Sequence, residues 1–512
     1  MAILARRFHS GLSGLRAVGP KVARAATDHL DVMWLKNKAR LLHLARLVYY
    51  ALRPREAVLW QLRLAGRRFV SFFARPRGTD FGPAHRYFVG APAETDDLGV
   101  DRPSVPPAFD PVKRPMVSII VPVYNKIDFT LRCLWSIRRQ VWRHRYEVII
   151  VDDYSIDRTR ELLAQAPGLR LVVNPSNLGF VRSCNEGARH ARGDYLLFLN
   201  NDTLVLSGWM DKLVDSFATV PEAGLVGSKL LYPDGRLQEA GGFVAQEGSG
   251  GNYGRNDDPN KPQYNFLREV DYCSGASIMV PRALFDELGG FDERYAPAYY
   301  EDTDLAFTVR KAGRKVLYQP LSQLIHYEGV TSGTDLRTGV KAYQVENKRK
   351  FYERWQRALA GHGWPGTDHR QEAERYVGKR VFVANASVSV PNPEVERTLA
   401  LFLAQLFQSR SYQATFALRR DLSYVEHTIP ALERTGVECL YAPYVTSLVR
   451  HLRRRGSHYD AVFQYRANST DAFLDPALLH RLCPKAQLLT HTGDWNSLQQ
   501  RENDILKGLA AG

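Results

Sequence analysis

The sequence has few cysteines: five in 512 residues (Cys133, Cys184, Cys273, Cys439 and Cys483), none in a CxxC pair. That spacing offers neither a disulfide framework nor a zinc site, and it fits a reducing compartment, with most thiols acting as small buried apolar groups. No run of about 18 apolar residues exists, so no transmembrane helix is expected. The first 27 residues carry Arg6, Arg7, Arg16, Lys21 and Arg24 and no acid. They lack the apolar core of a signal peptide, so processing is not expected. There is no GxxxxGK[ST] phosphate loop and no GxGxxG after the first strand-like run.

Acidic residues are scarce at one end. Residues 1–77 hold 16 Lys and Arg against 3 Asp and Glu, a net +13 of the chain's +15, which leaves +2 for the remainder. The body is therefore not a nucleic-acid-binding core, and the charge marks a local interaction surface. With 45% hydrophobic and 24% charged residues the chain is globular, and its length suggests roughly three domains. Residues 34–74 read as helix broken near Pro54. The stripe of Trp34, Leu41, Leu42, Leu44, Leu47 and Tyr50 between basic residues suits a helical hairpin packed on the body, or an interfacial helix on anionic lipid. Residues 78–115, rich in Pro, Gly and Asp, read as a linker.

After residue 116 the pattern changes. VSIIVPVYN (117–125), EVIIVDDYS (147–155), LRLVV (169–173) and DYLLFLNND (194–202) are apolar runs, with helices expected from about Asp128, from Thr159 and over 179–193, the last stopping at Gly193. Strands alternating with helices at this spacing predict an α/β fold, a parallel sheet covered on both faces. In such sheets ligands bind beyond the carboxyl ends of the strands. Asn125, Asp152, Asp153 and Asn200 to Asp202 all stand at such ends, so three polar clusters should converge on one crevice. Asx-rich turns alone would account for one of them. Oxygen ligands without cysteine or clustered histidine suit Mg2+ or Mn2+ bridging a diphosphate, with Asp202 the best candidate ligand. In YYEDTDLAFTVRKAGRKVLY (299–318), Glu301, Asp302 and Asp304 open a helix. Acids there are ordinary for dipole reasons, and a carboxylate near a metal-bound phosphate is also what a general base needs. His326 follows a short apolar run in LIHYEG (324–329).

Taken together, VSIIVPVYN, EVIIVDDYS, NLGFVRSCNEGARHARGDYLLFLNNDT, DYCSGASIMVPRALFDELGGFDERY and EDTDLAFTVRKAGRKVLYQPLSQLIHYEG, in this order, resemble glycosyltransferase family 2, the inverting nucleotide-sugar enzymes of GT-A fold, and most of all its rhamnosyltransferase-like members. The likeness runs from about Met116 to Gly333. It implies a Rossmann-like, mostly parallel sheet, a nucleoside-diphosphate sugar donor, a saccharide or lipid-linked acceptor, and Mg2+ or Mn2+. By the same resemblance Pro122, Tyr124 and Asn125 flank the nucleotide pocket, Asp152 and Asp153 contact base and ribose, and Asn177, Gly179, Phe180 and Asn185 wall the nucleotide. Asn200 to Asp202 stand at the family's D-x-D motif, with Asn200 departing from it, Asn200 and Asn201 near the donor, and Asp202 as the main metal ligand. Ser274, Gly275 and Ala276 lie near donor sugar and acceptor, Asp302 is the base with Glu301 beside it, and His326 is a further metal ligand.

The expected organisation is a basic helical segment (1–77), the linker (78–115), the GT-A domain (116–335), a charged helical tail (336–377) and an α/β segment (378–512). In that last segment KRVFVANASV, QATFALRRD, VECLYAPYV, YDAVFQYR and AQLLTHTGD resemble the N-terminal half of a GT-B family 4 glycosyltransferase. A GT-B enzyme holds its donor mainly in the second half, so this half-domain is not expected to be an independent transferase. The place implied is the cytoplasm, at the inner face of the membrane, in bacterial surface polysaccharide synthesis. Alternatives are a sugar nucleotidyltransferase, which would carry a glycine-rich basic loop that VPVYNK lacks, a receiver-like domain, and a non-catalytic nucleotide-sugar-binding scaffold.

Overall fold

Strand β1 (Val117–Val123) is buried along its whole length, as its unbroken β-branched run requires of a strand covered on both faces. It pairs in parallel with β2 (Tyr146–Asp152), which carries β3 (Arg170–Val173) in parallel on its far side. On its other edge β1 pairs in parallel with β4 (Tyr195–Leu199). Pro122 lies past the last residue that β4 pairs, Ile120, where a strand tolerates a missing N–H.

The connections are helices α1 (Ile127–Arg138), α2 (Thr159–Leu163) and α3 (Phe180–Arg189). Helix α1 buries Thr130, Leu131, Cys133, Leu134 and Ile137, the stripe a 3.6-residue period gives. Helix α3 ends at Arg189, short of the expected stop at Gly193. Gly193 has a different cause: a Cβ there would come within 2.6 Å of the Ser118 nitrogen. Side chains alternate across the sheet. Ile120, Ile149 and Phe198 pack on one face with Phe285 and Phe291, while Ile119, Ile150 and Leu197 pack on the other with Leu134 and Trp209.

The computed structural model describes residues 103–328, 343–384, 393–419, 421–466, 474–492 and Ile505. The chain divides into units Met1–Thr79 and Asp80–Gly512. The basic segment 1–77, and with it the expected lipid contact, lies outside the described residues, as do residues 78–102 of the expected linker. Among the described residues no helix is long and apolar enough to cross a membrane.

The sheet is mixed, with most strands along its path running in one direction, as expected, and antiparallel strands among those that follow. Strands β5 (Thr203–Val205), β6 (Ala223–Leu231), β7 (Leu237–Glu239), β8 (Gly242–Val244), β9 (Gly250–Asn252), β10 (Arg268–Glu269), β11 (Ser277–Pro281) and β12 (Lys315–His326) follow. Its order is β10-β12-β6-β11-β4-β1-β2-β3, with β5 on β12 and β7 on β6, while β8 and β9 form a separate antiparallel ribbon. Strand β11 runs antiparallel to both neighbours. No crossover helix precedes it; the chain enters it from the loop 270–276, at the edge where β4 ends. Strand β12 is split by a register irregularity between Gln319 and Gln323. Its last residues then pair with β5, which sets His326 opposite Thr203.

Around this sheet lie α4 (Trp209–Thr219), α5 (Arg282–Glu287), α6 (Glu301–Lys311), α7 (Tyr343–Leu359) and α8 (His369–Ala373). A second sheet holds β13 (Lys379–Ala384), β14 (Tyr412–Ala417), β15 (Glu438–Cys439), β16 (Ala461–Arg466) and β17 (Gln487–Thr492), all parallel, in the order β15-β14-β13-β16-β17. The Leu267 N–H donates to the Glu433 carbonyl at 3.0 Å, and the Tyr441 hydroxyl to the Asn260 carbonyl at 2.9 Å, which ties the two sheets together. All five cysteines are free and buried.

Candidate active site

Residues Asn200 to Asp202 form the turn between β4 and β5. The Thr203 hydroxyl donates to the Asn200 carbonyl at 2.7 Å and closes it. The Asn200 N–H donates to the Ala276 carbonyl at 3.0 Å, so the turn is held against the loop leading into β11. In that loop the Gly275 N–H donates to Asp302 Oδ2 at 2.8 Å. Across the turn, His326 Nε2 stands 3.3 Å from Asp202 Oδ1 and 3.4 Å from Asn200 Nδ2. Residues from β4, β11, α6 and β12 are thereby joined in one continuous chain of contacts.

The tautomer of His326 follows from its surroundings. The Glu328 carboxylate takes hydrogen bonds from the Tyr232 hydroxyl at 3.0 Å and Arg255 Nη2 at 2.8 Å, and from Gln238 Nε2 at 3.3 Å. A carboxylate only accepts, so the Gln238 amide turns its NH2 to Glu328 and its Oε1 to His326 Nδ1, 2.9 Å away. Nδ1 therefore carries the proton. In a neutral ring the Nε2 lone pair then faces both the Asn200 NH2, at 3.4 Å, and Asp202 Oδ1. Two lone pairs 3.3 Å apart repel unless a cation or proton lies between them. The buried Asn200 Oδ1 and Asp202 Oδ1 also have no hydrogen-bond donor. This donor set fits a divalent cation. Among the described residues no group of three or more His, Cys, Asp and Glu stands ready to hold one.

Helix α6 begins after two consecutive residues with left-handed backbone, Tyr299 (φ 77°) and Tyr300 (φ 73°), conformations costly for side-chain-bearing residues and frequent at functional sites. Asp302 Oδ1 accepts from the Thr303 N–H at 2.6 Å and the Thr303 hydroxyl at 3.1 Å. With the Gly275 N–H on Oδ2, one lone pair of Oδ2 remains free. Burial raises the Asp302 carboxyl above its usual range. Burial, and then the charge of Asp302, raises buried Glu301 much further, and Glu301 Oε2 has no donor.

The structure gives several expected site residues other work. Asp153 Oδ1 accepts from Asn174 Nδ2 and the Leu178 N–H, and Oδ2 from the Gly179 N–H, each at 2.8 Å. It shapes the loop 174–179 and keeps one lone pair of Oδ2. Both amide atoms of Asn185 bond the main chain of Phe291 at 2.9 Å, so Asn185 braces a loop. Asn201 donates to the Thr130 hydroxyl at 3.0 Å and holds the turn to α1. Pro122 is buried within β1.

Asn125, with left-handed backbone (φ 55°), accepts from the Ile156 N–H at 2.8 Å. Asp152 accepts from the Ser155 N–H at 3.0 Å and Arg160 Nε at 3.2 Å. Tyr124 and Asn177 are exposed, and Phe180 is half-buried. Gly179 (φ 82°) sits where a Cβ would be 2.5 Å from Pro297 Cβ.

Gln238, Glu239 and Glu328 were not expected in the site. The Ser274 N–H donates to Glu239 Oε1 at 2.9 Å, and burial pushes this carboxyl up to about 8. The Asp234-Gly235 pair marks the hairpin that returns them to the sheet, but no periodicity marks their role. Asp304, within the acidic run, is an anchor: Tyr295, Trp355 and Arg354 all donate to it, at 2.8, 2.7 and 2.8 Å.

Residues 118–289 match the model of glycosyl transferase family 2. It is 34% identical over 232 residues to the O-antigen biosynthesis protein RfbC of Myxococcus xanthus, covering 43% of this chain and 18% of that protein. It is 28% identical over 219 residues to an N-acetylglucosaminyl-diphospho-decaprenol L-rhamnosyltransferase of Mycobacterium tuberculosis, covering 38% of this chain and 71% of that one. Protein y4gI of Sinorhizobium fredii is 29% identical over 230 residues, covering 43% of this chain and 25% of its own length. The chain thus spans a quarter or less of two of these relatives. The crystal structure of GalNAc-T7 with UDP, GalNAc and Mn2+ superposes with a TM-score of 0.40 at 16% identity, over 48% of this chain and 50% of that one.

Proposed function

We propose that the chain is an inverting glycosyltransferase that moves a hexosyl or rhamnosyl group from a nucleoside-diphosphate sugar to a hydroxyl of a saccharide or lipid-linked acceptor, at the inner face of a bacterial membrane. The observation that carries it is the contact chain from Asp302 through Gly275, Ala276 and Asn200 to the His326–Asp202 pair. It brings a candidate base and a candidate cation site together around one loop.

In this reading Asp302 Oδ2 accepts the proton of the acceptor hydroxyl through its free lone pair. The hydroxyl oxygen forms a bond to the anomeric carbon on the face opposite the diphosphate, whose bond to that carbon breaks, so configuration inverts. Gly275 holds Asp302 in place, and as a glycine it leaves the approach to Oδ2 uncrowded. Asp202, His326 and Asn200 would hold Mg2+ or Mn2+, which supplies Lewis-acid stabilisation of the departing nucleoside diphosphate. Gln238 and Glu328 orient His326. Glu301, whose carboxyl burial raises well above its usual range, stands beside the base. The second sheet, in this reading, is a half-domain of GT-B type without its own donor site.

The test is thermal shift against a panel of nucleoside diphosphates, with Mn2+ and with EDTA, alongside Asp202→Ala. A shift for one or two bases that needs metal and fails in the variant supports the reading and names the donor class. No shift with any nucleotide overturns it.

A further inference from the structure

A second concavity, of about 670 Å3, lies between the β8–β9 ribbon with its following turn and the segment between α7 and α8. Its volume falls in the range of about 300–1,000 Å3 typical of small-molecule sites. We propose that it is a saccharide subsite, holding a part of the acceptor chain remote from the reacting hydroxyl. The proposal rests on the glycosyltransferase reading and assigns its acceptor side.

The lining has the chemistry of a sugar site. Trp364, which lines it, is 66% exposed. A large aromatic face left in solvent suits the C–H face of a pyranose ring, apolar on one side and polar at its rim. Around it stand Asn252, Arg255, Asn256, Asp257 and Thr367. Asn256 presents an amide donor and acceptor side by side, as vicinal hydroxyls require, and Asn252 an NH2, while Asp257 holds Tyr264 and Lys261 and Arg255 holds Glu328. A nucleotide diphosphate fits poorly, because the one guanidinium there, Arg255, is already paired with Glu328 at 2.8 Å. A lipid tail fits poorly, because the rim is polar.

Two contacts tie this concavity to the candidate active site. Arg255 holds Glu328, which bonds the Gln238 that orients His326. Asn252 Oδ1 accepts from the Tyr272 hydroxyl at 3.1 Å, and Tyr272 is two residues before Ser274. The ribbon is therefore a shared wall: one side supports the cation site, the other faces the concavity.

Saturation-transfer NMR of the full chain with chitotriose, maltotriose, mannotriose and a rhamnose trisaccharide tests this, using wild type, Trp364→Ala and Asn256→Gly. The second variant keeps the left-handed backbone at that position (φ 66°) and removes only the amide. At least one trisaccharide should give signal in wild type, weakened tenfold or more in both variants, with their melting temperatures and nucleotide-induced shifts unchanged. Binding that both variants retain, or no binding by any of the four, overturns the subsite. A nucleotide shift without saccharide binding sinks the subsite alone; absence of the nucleotide shift in wild type sinks the transferase reading beneath it.

Discussion

The main-chain N–H of Gly275 donates to Oδ2 of Asp302 at 2.8 Å. Gly275 lies two residues before β11 and Asp302 is the second residue of α6, 27 positions apart in sequence. This one bond fixes which oxygen of Asp302 keeps a free lone pair. It also couples the carboxylate to the loop that carries the Asn200 turn.

If Asp302 is the base, Asp302→Asn should lower the transfer rate by about 10²- to 10⁴-fold, while the metal-dependent nucleotide shift survives. Because burial raises this carboxyl and a base works deprotonated, kcat/KM should fall with acidification through a value above the ordinary carboxylate range. Steady-state kinetics from pH 4 to 9 would show it. A loss under tenfold in the variant removes Asp302 from the role.

Gln238 should act on metal affinity without touching the metal. Replacing it with Leu frees the His326 ring to choose its tautomer, and Mn2+ affinity should drop roughly 10- to 100-fold, the usual effect of losing a partner that orients a ligand. Titration of Mn2+ followed by electron paramagnetic resonance would read this directly. Unchanged affinity would mean that His326 does not ligate.

Glu239 should make stability depend on pH. Its folded value of about 8 lies above the ordinary glutamate range near 4.5, so the folded state binds more protons between those values. Stability from this group is intact below about pH 4.5 and is lost as pH rises toward 8. The loss is on the order of a few kcal/mol. Glu239→Gln keeps the acceptor for the Ser274 N–H and should flatten that slope in urea denaturation; an equal slope in the variant would refute the assignment.

Asp153→Ala leaves the Gly179 and Leu178 N–H groups and the Asn174 amide without their acceptor. Unpaired buried donors cost about 1–3 kcal/mol each. The variant should therefore lose about 3 kcal/mol or more by urea denaturation, with or without nucleotide present. A loss seen only as weaker nucleotide binding would return Asp153 to the ribose.

The sequence by itself determined the elements from β1 to β4 and their three crossover helices, because strand burial and helix stripes are local patterns of period 2 and 3.6. Turn chemistry placed Asn125, Asp152 and Asn200 to Asp202 at strand ends. Only the tertiary structure decided the rest. The direction of β11 depends on which edge its loop enters from, and apolar strands carry no mark of parallel or antiparallel pairing. The irregularity in β12 turns its end toward β5 and sets His326 beside Asp202, 124 residues earlier in numbering. The network of Gln238, Glu239 and Glu328 has no period to read, since each of these polar groups is satisfied by a partner from another strand or loop. Likewise Asp153, Asn185 and Asn201 look like ligand contacts in a linear motif. Asn185 gives both amide atoms to Phe291, and Asp153 and Asn201 hold neighbouring backbone and side chains, a fact fixed only when those neighbours are brought within about 3 Å.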